Sequence, residues 1–306
     1  MLIHHLFYGG HSQALYDGIS FLGYGVINQL GLYGKLCVAI FVFLSGYGLM
    51  KKYGTDFSCK TFYLSRLKRL YFNYWFIWLV FVPIGVFVFH RNFVDVYNDH
   101  IIIKVILDLL GLLNITGLHG YNPTWWFYSC IIILYMLYPV LAKAWHRYLL
   151  LILSLCAIFP LCSFIIPLRP ICNYLLPFVA GMYLARSNVP VTNPSAVLFA
   201  FILLSAFRNL SGIMVYAIDT LICVCLASFL STIEMNRRIK RVLINLGRHS
   251  TNIFLFHTFI FYYWFEDLVY ITRNPIIIFI SLIVPCYVIS VVLEYIKTKV
   301  MNIARI

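Results

Sequence analysis

Charge is scarce in this chain, and acidic charge is scarcest. Asp and Glu together number 10, Lys and Arg 23, and charged side chains make up 11% of the 306 residues. Soluble domains carry about 25%, so a globule of this size would lack the polar surface that water requires. The chain also lacks a Walker loop, a dinucleotide-binding glycine fingerprint, an HExxH pair and a CxxC pair, which removes the common nucleotide, zinc and thiol-redox sites. No internal repeat and no low-complexity linker divides it, so residues 1–306 read as one domain. The nine cysteines are odd in number and mostly lie inside apolar runs, as Cys130, Cys156 and Cys286 do. Cys223 and Cys225 stand two apart on a helix and point in different directions. This is no disulfide framework; the cysteines serve as small buried hydrophobes.

What is abundant is apolar. Hydrophobic residues make up 62% and the mean hydropathy is +0.89. A helix crossing a ~30 Å hydrocarbon core needs about 20 apolar residues. Such runs lie near 34–50, 70–89, 124–142, 148–166, 171–186, 195–208, 213–231, 250–267 and 275–296. Lipid offers backbone N–H and C=O groups no partner, so every span is expected to be helical. The expected fold class is all-α, a polytopic transmembrane bundle of about nine to ten helices. The 101–116 stretch carries Lys104, Asp108 and Asn114 and reads as an interfacial or re-entrant helix.

The net charge of +13 is placed asymmetrically. With successive spans alternating and the 51–69 connection inside, only Lys35, Arg91, Lys104, Arg169, Arg208 and Arg273 fall outside, and every other Lys and Arg falls inside. That is the positive-inside pattern, with a cytoplasmic C-terminus in a cell membrane. The basic surplus therefore reads as a topology signal, with the bilayer as partner and no nucleic acid. The opening MLIHHLFYGG has no basic n-region and no cleavage site. Residues 1–8 are expected to form the outer half of a first span whose beginning lies upstream.

Four constellations could carry chemistry. His4 and His5 lie at membrane depth, where ionisable groups usually face a cavity or partner and imidazole exchanges protons near neutral pH; an interfacial pair bonding headgroups is the plainer alternative. Arg66 and Arg69, three apart, share a helix face, and paired guanidinium forks grip phosphates; the plainer reading is a topology-fixing cluster. Trp125 and Trp126, within Asn122-Pro-Thr-Trp-Trp-Phe-Tyr128, suit either an interfacial aromatic belt or a platform for sugar rings. Leu246-Gly-Arg-His-Ser-Thr-Asn-Ile-Phe-Leu-Phe-His257 offers Ser250 or Thr251 as a helix cap and puts His257 near mid-bilayer. There it either ties two helices together or meets a substrate. Asp219, alone in its span, reads as a helix–helix hydrogen bond or a proton-relay group. No metal site is expected.

In order and spacing these segments resemble the integral-membrane acyltransferase 3 family, whose members O-acetylate polysaccharides. The matching pieces are His4-His5, Phe41-Val-Phe-Leu-Ser-Gly-Tyr-Gly-Leu-Met50, Phe62 through Arg66-Leu-Lys-Arg69-Leu-Tyr, Trp125-Trp-Phe with Leu134-Tyr-Met-Leu-Tyr-Pro139, and Leu246-Gly-Arg-His-Ser with Ile253-Phe-Leu-Phe-His257. The resemblance implies a ten-helix bundle with a catalytic histidine on the first helix, carried to His5 and then His4. It further implies arginines that hold an acyl-CoA donor, acetyl-CoA in the first instance, carried to Arg66 and Arg69. The acceptor it implies is a cell-surface polysaccharide or its lipid-linked glycan precursor. The family's arginine one helix-length upstream of the histidine has no counterpart here, which fits an incomplete first helix or an inactive member. A transporter, flippase or polymerase of lipid-linked glycans is the alternative from another class, although no two-fold repeat of Gly/Pro-broken helices supports it.

Overall fold

The computed structural model describes residues 1–9, 14–17, 20–21, 24–118, 120–158, 169–187, 193–210 and 212–304. A short α1 (Leu2–Phe7) leads to a two-residue antiparallel bridge of β1 (Ser20–Phe21) and β2 (Tyr24–Gly25), with Ser20 opposite Gly25. Everything else regular is helical: α2 (Val26–Gly34), α3 (Leu36–Tyr53), α4 (Cys59–Phe87), α5 (Phe93–Tyr97), α6 (Ile101–Leu109) and α7 (Trp126–Ile158) come first. Then follow α8 (Arg169–Arg186), α9 (Pro194–Phe207), α10 (Val215–Ser231), α11 (Arg237–Thr258), α12 (Glu266–Tyr270) and α13 (Pro275–Ala304). The chain is thus the all-α membrane helix bundle that its composition demands.

Among the described residues, four stretches are long and apolar enough to cross a bilayer: Val26–Tyr53, Cys59–Phe87, Pro123–Trp145 and Pro275–Asn302. α4 alone has 29 residues, about 43 Å at 1.5 Å per residue, ample for a ~30 Å core. Local chemistry sets the ends. Gly54, at φ +62°, closes α3 in a conformation that costs a Cβ-bearing residue dearly. Ser58 accepts from the Thr61 N–H to open α4, and Asn193 accepts from the Ala196 N–H ahead of Pro194 to open α9.

Two expectations about helix ends are corrected and one holds. The 34–50 span is preceded by α2, so the crossing is longer, Val26–Tyr53, and is interrupted at Lys35. The runs at 124–142 and 148–166 are two helices, as expected, meeting within α7 at Tyr148, whose backbone (φ −129°, ψ 22°) is not helical; residues 159–166 lie outside the described residues. The helix expected from 250 begins at Arg237, because Asn236 caps it by accepting from the Arg238 N–H and nothing in 237–249 breaks it. Ser250 therefore sits inside the helix and donates back to the Gly247 carbonyl instead of capping. The 101–116 stretch is too short to cross a bilayer: α6 is nine residues long, with Asp108 buried and Ile102, Ile103 and Ile106 exposed.

α3 and α8 cross most closely. A Cβ on Gly46 would strike the Phe178 carbonyl, and one on Gly181 the Phe43 carbonyl, so glycines on both helices let the backbones touch. The buried residues divide into one cluster around α1, α4, α11 and α13 and another around α3, α7, α8 and α10. One end of the bundle gathers Lys51, Lys52, Arg66, Arg69 and Arg186, where Arg186 donates to Thr55 and Tyr138 donates to the Gly54 carbonyl. The other end holds α1, Lys35, Arg169 and Arg208. These are called the basic end and the histidine end below.

Candidate active site

Two glycines seat the histidines. On α2, a Cβ at Gly31 would meet the Phe7 carbonyl carbon at 2.9 Å, and one at Gly34 would meet the His4 nitrogen at 3.1 Å. Their absence lets α1 lie directly on α2. His4 Nδ1 then reaches the Gly31 carbonyl at 2.9 Å. A carbonyl only accepts, so that nitrogen carries the proton and Nε2 is the basic atom.

His5 turns the other way, toward α11. Its ring lies 5.0 Å from that of His257, centroid to centroid. His257 is fully buried, and its Nδ1 lies 3.0 and 2.9 Å from the carbonyls of Ile253 and Phe254 in its own helix. Nδ1 therefore donates, which leaves Nε2 as an unprotonated acceptor, and that atom has no hydrogen-bond partner among the described residues. Immediately after His257 the helix widens into a π-turn, Phe259–Trp264, a distortion frequent at functional sites. Among the described residues, His257 thus bonds within its own helix and meets α1 through ring contact.

Both His4 and His5 line a cavity of about 370 Å³ at the histidine end. Its other walls include Lys35, Cys37, Thr124, Trp126, Arg169, Asn173, Tyr174, Tyr216 and Phe254. Trp126 stacks on Tyr174 at 5.8 Å to make an aromatic side. Trp125 does not belong to this wall, contrary to its pairing with Trp126 in the sequence. It is fully buried and donates from Nε1 to the Leu255 carbonyl at 2.9 Å. With it, Asn122 donates to Thr258 Oγ1 at 2.6 Å and accepts from the Thr124 N–H at 3.0 Å. The Asn122–Trp125 segment is therefore a clamp that sets α11 and hence His257.

Beneath the clamp lies a second buried polar group. Asp108 Oδ2 accepts from the Tyr97 hydroxyl at 2.6 Å and from the Tyr121 N–H at 2.8 Å, whereas Oδ1 faces Gly120 without a partner among the described residues. Burial raises its carboxyl to about 6, overcoming the two hydrogen bonds and the nearby Arg91 charge that pull it down.

The arginines are elsewhere. Arg66 sits at the start of α4 with its guanidinium 4.9 Å over the Tyr53 ring and a buried Nε that has no partner among the described residues; Arg69 is exposed one turn further. Fifteen residues of α4 separate Arg66 from Phe81, about 22 Å of helix. Phe81 stacks at 4.9 Å on Phe256, the neighbour of His257. The two groups singled out in the sequence thus stand at opposite ends of the bundle. Between them runs a polar line that sequence reading missed. Lys297 Nζ, counted among the inner-face charges, is buried and bonds Asn73 at 2.6 Å, Asn252 at 2.8 Å and Glu294 at 2.7 Å. Isolated Asn and Lys residues inside apolar runs were the available signal.

Asp219 also resolves. Its carboxylate takes a bidentate pair from Arg208 at 2.5 and 3.0 Å, both residues being buried, and Arg208 donates further to the Leu32 carbonyl. It ties helices together through a charge. No curated protein and no solved structure matches the chain. A family model described as an acyltransferase domain, acyltransferase 3, matches residues 1–295.

Proposed function

Because the chain belongs to the acyltransferase 3 family, we propose that it moves an acetyl group from acetyl-CoA to a hydroxyl of a cell-surface polysaccharide or its lipid-linked precursor. The observation that carries this reading is the pair His5–His257, one ring in the wall of a roomy cavity and the other buried behind it with a free basic nitrogen.

In this reading His5 is the catalytic base and His257 the positioning residue that holds its ring. A neutral His5 takes the proton from the acceptor hydroxyl, whose oxygen attacks the thioester carbonyl. The C–O bond forms, the C–S bond breaks, and the imidazolium returns its proton to the departing CoA sulfur. Arg66 and Arg69 grip the donor's phosphates at the basic end, and the unpartnered Arg66 Nε offers a buried donor for them. CoA is a long molecule with phosphates at one end and its thioester at the other. That shape suits a bundle whose anion-binding arginines and base stand roughly 22 Å apart along α4. The basic end faces the cytoplasm, where acyl-CoA is made, and the acceptor enters from the histidine end.

Membranes carrying the chain, supplied with labelled acetyl-CoA and glycan, test the scheme. Relative to wild type at matched expression, His5→Ala should lower turnover about 10²- to 10⁴-fold. Arg66→Ala with Arg69→Ala should instead raise the KM for acetyl-CoA. Full transfer by both variants would remove the proposal.

A further inference from the structure

The cavity is charged as well as roomy. Lys35 and Arg169 both line it, and no carboxylate appears among its described lining residues. One acid, Asp219, lies in an adjoining pocket of about 150 Å³ that shares Lys35 and Tyr216 with the cavity. Both Asp219 oxygens are already committed to Arg208. Lys35 is half-buried, and no ion pair reaches its ammonium among the described residues. Asp219 attracts it only at longer range, against the repulsion of Arg169 and Arg208; a cation so weakly paired at membrane depth is costly to keep, and a bound anion would relieve that cost. A second polar atom also waits unpaired: Asn173 is 4% exposed and its Oδ1 accepts nothing among the described residues. It lines the same cavity, beside the stacked Trp126 and Tyr174 rings.

We propose that the acceptor is an anionic carbohydrate, its carboxylate or phosphate paired with Lys35 and Arg169 and a ring hydroxyl donated to Asn173 Oδ1. The sugar face lies on Trp126 and Tyr174, where aromatic rings offer both contact area and polar edges. The hydroxyl to be acylated is then the one presented to His5. This deepens the acyl-transfer reading and rests on it for the use of the site, though not for the binding of the anion.

The test is equilibrium binding to the full chain in nanodiscs. Three probes are compared: a glucuronate-terminated oligosaccharide, its carboxyl-reduced counterpart and glucose 1-phosphate. The anionic sugars should bind about tenfold or more tighter than the neutral one, as a charge-assisted contact implies. Preference for the first probe marks a uronate, and preference for the phosphate marks a lipid-linked sugar phosphate. Lys35→Gln should erase that advantage while leaving neutral binding in place, and Lys35→Arg should keep it. Asn173→Leu should weaken all three probes alike, which separates the hydroxyl contact from the charge. Equal affinity for charged and neutral sugars, or no binding of any, would overturn the inference. Acetyl transfer measured in parallel keeps the two ideas apart: transfer with no charge preference sinks only the anionic acceptor, and charge preference without transfer sinks only the acyltransferase reading.

Discussion

Nε2 of His257 is the most informative atom in the bundle, because a buried acceptor without a donor is a cost the fold would otherwise remove. Replacing His257 with Phe keeps a ring against Phe261 and discards that nitrogen. We expect kcat to fall about a hundredfold while the acetyl-CoA KM and the unfolding midpoint stay near wild type; a residue that served packing alone would leave kcat untouched. Asp108 supports a prediction of another kind. Its carboxyl is raised from the ordinary 3.8 to about 6, so the folded chain holds this proton more tightly than the unfolded one. Below about pH 4 both states are protonated and the group costs nothing. As pH climbs from about 4 to about 6 the unfolded state ionises first, and stability is lost, by about 3 kcal/mol in total. The unfolding midpoint in detergent should therefore drop across that window, and Asp108→Asn, which keeps the acceptor for Tyr97 and Tyr121, should flatten the drop. An Asn variant with an unchanged slope would remove Asp108 as the cause. At this scale the sequence was partly legible. His4, His5, Arg66 and His257 stand out as polar letters in apolar text, but which of them meet depends on side-chain directions that only packing decides. Trp125 and Trp126 are adjacent and look alike, yet one is clamped in the core and the other lines the cavity.

Among elements, the α3–α8 crossing makes the strongest demand on sequence. Gly46 and Gly181 each replace a side chain with a backbone carbonyl of the other helix. Gly46→Val or Gly181→Val should destabilise the bundle by about 1–3 kcal/mol through forced separation. Gly48 lies in the same helix with nothing within 4 Å of its would-be Cβ, so Gly48→Ala should gain about 0.5–1 kcal/mol from helix propensity. Thermal melts of the three variants in one detergent check the contrast, and equal effects at Gly46 and Gly48 would deny the close crossing. The existence of these helices was readable because hydrophobic runs are long and uninterrupted. Their ends were not, since α11 begins 13 residues before the expected start: its first half is amphipathic and basic, and a hydropathy window does not register it as span. The Asn236 cap was a signal passed over in favour of Ser250. Likewise α2 was hidden by its glycines, which weaken a helix in isolation but are what allow α1 to dock.

For the whole molecule, two helical rulers agree on the separation of the ends. Tyr53, under Arg66, lies sixteen residues along α3 from Cys37 in the cavity wall, about 24 Å, close to the roughly 22 Å measured along α4 from Arg66 to Phe81. The direction of that axis across the bilayer is a prediction from charge. The basic end collects Lys51, Lys52, Lys60, Arg66, Lys68, Arg69 and Arg186 within its connections and helix ends, and the positive-inside rule predicts such loops in the cytoplasm. α13 starts at Pro275, beside the loop in which Arg273 pairs with Asp17, and runs 30 residues toward the opposite face. If the basic end is inside, the C-terminus must be inside too and the Asn98–His100 turn outside. A fluorescent protein fused after residue 306 should therefore glow and alkaline phosphatase there should be inactive, whereas phosphatase inserted at Asp99 should be active. Phosphatase active at both places, or only at the C-terminus, would reverse or void the axis. The donor-inside, acceptor-outside path along it would then have no physical basis, because the guanidinium groups that meet acyl-CoA would face the wrong compartment.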